Sequence, residues 1–121
     1  MYVVEAVTLN NQGPFLDFLK RFEEYSLFLI GNFENNGPRL THAPNSGNFK
    51  IIKKGNEIVA AFCLARRGSL LITSSLNDPA LFPLIWGSVK NEPITFKGIL
   101  GDWNFCEPFW KYIKDEKIIT K

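Results

Sequence analysis

The spacing of apolar positions changes several times along the chain. Tyr2-Val3-Val4-Glu5-Ala6-Val7 is a β-branched run and predicts a first strand. Gly13-Pro14 then opens a helix, with Pro at the first helical position. Phe15, Phe18, Leu19 and Phe22 follow at i, i+3, i+4 and i+7, one helical stripe, with Asp17, Lys20, Arg21 and Glu24 opposite. A second, shorter helix is expected from Ser26 to Phe33. From Gly31 to Asn48 the pattern fades into turn dipeptides, Asn35-Asn36-Gly37-Pro38 and Pro44-Asn45-Ser46-Gly47-Asn48, which predict one long loop.

Strand-like runs then dominate. Phe49 to Lys53, Glu57 to Ala65 and Ser69 to Thr73 read as three strands joined by tight turns at Gly55-Asn56 and Arg67-Gly68, an antiparallel meander. Asn77-Asp78-Pro79 announces a helix, with Asp78 as its cap and Leu81, Leu84, Ile85 and Val89 as its inner face. Ile94 to Leu100 predicts a further strand. Asn104 is expected to cap a last helix with Glu107 as capping-box partner, and Phe105, Phe109, Tyr112 and Ile113 form its apolar face. A helical crossover between the last two strands sets them parallel. The expected fold class is α/β (α+β): one domain over residues 1–121, with a mixed, mostly antiparallel sheet and helices on both faces.

Composition narrows the class. The 121 residues are 45% hydrophobic with a formal net charge of +2, which excludes intrinsic disorder. Eleven Phe, roughly twice the usual share, supply a large core. Phe15, Phe18, Phe22, Phe49, Phe62, Phe96, Phe105 and Phe109 are expected between helices and sheet. No apolar run longer than Ile58 to Ala65 occurs, too short for a bilayer span of ~18 residues. The charge balance lacks the clustered basic face of a nucleic-acid binder. Lys53-Lys54 and Arg66-Arg67 read as solvated turn charges. Met1 to Ala6 is no signal peptide. Cys63 and Cys106 carry no metal-ligand spacing; reduced thiols in a cytoplasmic protein are the simpler reading, with a disulfide left open.

The order strand, helix, helix, three-stranded meander, helix, strand, helix resembles the GNAT N-acetyltransferase superfamily over residues 2–116. The turn Gly55-Asn56-Glu57 before an apolar strand resembles the family's second and third strands. Ile94 to Trp110, with Gly101 after the fifth strand and an aromatic-rich helix next, resembles the amino-terminal halves of tandem GNAT proteins. The resemblance implies acetyl-CoA binding where the fourth strand meets the third helix, on a loop of the form Arg/Gln-x-x-Gly-x-Gly/Ala. Here that place is Ser74-Ser75-Leu76-Asn77-Asp78-Pro79-Ala80, with no glycine and no cation. The family's tyrosine acid also fails to align: Lys111 holds its position, flanked by Trp110 and Tyr112. The chain stops at Lys121 with only Ile118-Ile119 left to begin the family's closing hairpin.

The reading that follows is a GNAT-like domain without cofactor-binding, catalytic or metal residues. It would serve as structural or substrate-shaping partner of a catalytic GNAT domain, or form a homodimer through a sheet edge, without nucleic acid or membrane. The alternatives are an active acyl-CoA-dependent N-acyltransferase whose divergent site uses Lys90 or amides around Asn77, and a ligand- or protein-binding module of another mixed-sheet fold. Other candidates have plain readings: His42 as a loop residue, Glu23-Glu24 as a solvated helix face, Ser74 and Ser75 as caps. Trp86, Trp103 and Trp110 read as core or interface aromatics, and Trp103 beside Asp102 is the best candidate for a functional one.

Overall fold

The apolar run after Glu57 becomes β3 (Glu57–Leu64), which is buried on both faces because it lies at the centre of the sheet. The computed structural model describes residues 1–120, with side chains through Asp115. The sheet is completed by β1 (Tyr2–Ala6), β2 (Phe49–Lys54), β4 (Ser69–Ser74) and β5 (Gly98–Leu100), in the spatial order β1-β2-β3-β4-β5. The first four strands pair antiparallel, and β5 runs parallel to β4. The expected mixed sheet is therefore present, and its open edges are β1 and β5.

Among the described residues, four helices cover it. On one face α1 (Gln12–Arg21) and α2 (Glu23–Asn36) bury Phe15, Phe18, Leu29 and Phe33 against Phe49, Ile51, Ala61 and Cys63. On the other, α3 (Leu81–Lys90) and α4 (Trp103–Thr120) bury Phe82, Ile85, Phe105 and Phe109 against Ile52, Phe62, Leu64 and Ile72. Phe15, Phe33 and Phe49 meet edge to face with centroids 5.1–5.9 Å apart, and each such pair adds about 0.5–1.5 kcal/mol beyond the area buried. Of the eight Phe expected between layers, six are buried and Phe22 and Phe96 are partly so. Phe33 and Phe82, also buried, join them.

Several boundaries differ from the sequence pattern. Helix α2 extends from Glu23 to Asn36, so the loop begins at Gly37, whose φ of 76° ends the helix. Helix α1 starts at Gln12, two residues before Pro14. Strand β5 keeps only three of its seven expected residues. The Lys97 amide instead donates to Gly68 O at 2.8 Å, and Phe96 packs on Trp86 at 5.2 Å, so this stretch serves the β3–β4 hairpin and α3. Asp102 caps α4 in place of Asn104: its Oδ1 accepts from the Asn104 amide at 3.1 Å. Glu107 lies 4.0 Å from Lys111 on the exposed side. The backbone around Ile118-Ile119 continues α4 and begins no strand.

The 37–48 loop is tied down by Ser46, a fully buried polar residue. Its Oγ accepts from the Thr41 amide at 2.9 Å and donates to Ala43 O at 2.7 Å. Gly47 beside it presses on β3: a Cβ there would fall 2.5 Å from Leu64 O.

Candidate functional site

Parallel strands send their carboxyl ends, and the starts of the helices that follow, to the same side of a sheet, where ligands usually collect. Here β4 and β5 stay in register from Ser69–Gly98 to Leu71–Leu100. Beyond that, β4 enters the 75–80 segment and β5 enters Gly101-Asp102. At Gly101 the backbone passes so near β4 that a Cβ would sit 2.5 Å from Ile72 O and 3.1 Å from Cys106 Sγ.

The polar atoms of the segment after β4 bond within the fold. A bulge on β3 leaves Val59 without a partner on β2, and its carbonyl accepts from the Ser75 amide at 2.8 Å and from Ser75 Oγ at 3.1 Å. Ser74 Oγ donates to Leu76 O at 2.6 Å. Both serines thus fix the end of β4 and neither caps α3. Asp78 also sits outside the helix, which begins at Leu81. Its Oδ1 accepts from the Ala80 amide at 3.0 Å, and its Oδ2 accepts from the Tyr2 hydroxyl at 2.6 Å. The Tyr2 hydrogen bond, then the Ala80 amide, hold the Asp78 carboxyl below the usual carboxylate range, and Asp78 holds the Tyr2 phenol above its own.

The helix starts are self-contained. The Leu81 and Phe82 amides donate to Asp78 O and Pro79 O, both at 3.0 Å, while Pro79 and Pro83 have no N–H. At α4, the Phe105 and Cys106 amides both donate to Asp102 O, at 3.0 and 2.9 Å. An anion arriving at either end meets amides already bonded and carboxylates in place.

The outer side of β5 has a different character. Between β5 and α4 lies a groove of about 360 Å³, lined by Lys97, Ile99, Trp103, Cys106 and Trp110. On the opposite face a smaller cleft of about 170 Å³ lies between Phe28, Asn32, Arg67 and Leu100. Trp103 and Phe28 are each 67% exposed, Leu100 48% and Trp110 37%. The Trp110 ring continues inward through Phe96, at 6.0 Å, to Trp86.

Other sequence candidates fall elsewhere. His42 is exposed in the 37–48 loop, and Glu23-Glu24 are exposed in the first turn of α2. Tyr112 stacks on Phe109 at 6.4 Å and packs on Phe82 at 5.8 Å, as a core aromatic, and Lys111 is exposed. Cys63 and Cys106 are free and lie in opposite layers. Among the described residues no group of three or more His, Cys, Asp or Glu is placed to hold a metal, and no helix is long and apolar enough to cross a membrane. The sequence pattern missed Tyr2, Phe28 and Leu100. Phe28 carried a signal: it falls off the buried Ser26–Leu29–Phe33 stripe of α2.

No family model, no curated protein and no solved structure matches this chain.

Proposed function

We propose that this chain is a GNAT-like domain that does not hold acetyl-CoA and serves as a structural partner of a catalytic acetyltransferase domain. The observation that supports it most is the chemistry of the 74–80 segment. A coenzyme A pyrophosphate needs several free amides converging at a helix start, aided by the helix dipole. Here the amides at Ala80, Leu81 and Phe82 are bonded internally, two prolines interrupt the series, and the ionised Asp78 occupies the approach. Coulomb repulsion between Asp78 and a diphosphate opposes binding. The residues present therefore do not fit the cofactor, and no acyl-transfer step is assigned to them. Two free thiols suit a reducing cytoplasm.

Calorimetry with acetyl-CoA tests the reading. Titration into about 100 μM protein is expected to give only heats of dilution, since a Kd beyond 1 mM leaves less than about 4 kcal/mol of binding free energy. A stoichiometric isotherm in the micromolar range would overturn it.

A further inference from the structure

We propose that the β5 edge is a self-complementary interface through which two copies of this chain join their sheets, antiparallel about Ile99. Among the described residues, β5 ends the sheet with its outer side facing no other strand. Although only three residues long, it is flanked by exposed apolar side chains on both faces: Trp103 and Trp110 on one, Phe28 and Leu100 on the other. From their exposures these four residues present about 450 Å² of apolar surface per copy, given the 150–250 Å² that a buried aromatic covers. Doubled across a two-fold, with the strand backbone added, this reaches the ~1,000 Å² that a specific interface needs.

Symmetry selects a second copy as the occupant. A two-fold axis normal to the sheet keeps each layer on its own face, so the Trp103–Trp110 groove meets its own counterpart and the Phe28–Leu100 cleft does likewise. Antiparallel pairing centred on Ile99 sets Lys97 opposite Gly101 of the other copy, beside Asp102. Each β5 end thus brings a cation to an anion, twice per dimer. Pairing β5 with β1 would instead be head-to-tail and would leave an open end at every step. The groove beside Ile99 is spacious enough to take an indole from the facing copy.

The test is solution mass by sedimentation equilibrium from about 1 to 200 μM, with amide hydrogen exchange at Gly98–Leu100. Wild type is expected to pass from 13.8 kDa to twice that mass, and those β5 amides that do not bond to β4 are expected to become protected only at high concentration. Trp103→Asp and Leu100→Asp should each weaken association by about 30-fold or more, the scale of a hot-spot residue. Leu9→Asp, at an exposed site before α1, should leave it unchanged. A monomer at 200 μM, or a dimer indifferent to both β5-side variants, would overturn the proposal and leave the edge to a partner of another sequence. This readout is independent of the acetyl-CoA titration, so either reading can fail without the other.

Discussion

Single atoms decide two features that residue type alone does not announce. At Gly47 the space for a side chain is filled by Cys63 Sγ and by Leu64 O at 2.5 Å. The sulfur could be trimmed, but the carbonyl belongs to the central strand. Gly47→Ala is therefore expected to lower unfolding free energy by about 1–3 kcal/mol, the usual range for overpacking, and Cys63→Ala in the same chain should not restore it. Denaturant titration of the two variants checks this. The Tyr2–Asp78 hydrogen bond gives a second test, with a sign at each end of the pH scale. Asp78 has a lowered folded pKa, so the unfolded chain binds the extra proton and stability is lost as pH falls below the carboxylate range. Tyr2 has a raised folded pKa, so its contribution is present below the ordinary phenol pKa near 10 and is lost as pH rises through the folded value. Tyr2→Phe should flatten both limbs of a stability–pH curve; limbs that match wild type would show the bond to be energetically silent.

Elements were legible where the burial pattern is simple. The α1 stripe follows from a period of 3.6, and the meander from apolar runs set between the Gly55 and Gly68 turns, because β3 and the middle of β4 are buried on both faces. Legibility failed where a long-range contact competes with the local pattern. Ile94 to Lys97 looks like strand, yet the Gly68 carbonyl, 29 positions earlier, takes the Lys97 amide and shortens β5. Asp102 and Asn104 are both good caps by type, and only the turn out of β5 makes Asp102 the one that is used. Asp102→Ala should thus cost about 1 kcal/mol, and Asn104→Ala almost nothing, in paired denaturant titrations. Phe82, three positions before Ile85 and seven before Val89, shares the buried face of α3, and its ring lies 5.2–5.8 Å from Phe105, Phe109 and Tyr112. Phe82→Ala is expected to remove about 3–5 kcal/mol, enough to unfold a marginal domain.

At the scale of the whole molecule, the candidate site was legible as chemistry and not as surface. The absence of glycine and cation at 74–80 could be read directly. That Trp103, Trp110, Phe28 and Leu100 would bracket one edge strand could not, since they come from α2, β5 and α4. The proposed self-pairing at that edge would add association to folding, so the thermal midpoint should rise with protein concentration, and Trp103→Asp should abolish the rise. The two thiols offer a view of motions within one copy. Cys63 lies under α1 and α2, and Cys106 lies on α4. Burial pushes both up, Cys106 to about 11, and leaves little thiolate at neutral pH. Alkylation of Cys63 must then wait for α1 and α2 to lift from the sheet, whereas Cys106 borders the groove beside β5. Cys63 therefore reports the opening of the α1–α2 layer, while the labelling rate of Cys106 reports whether the groove beside β5 is covered.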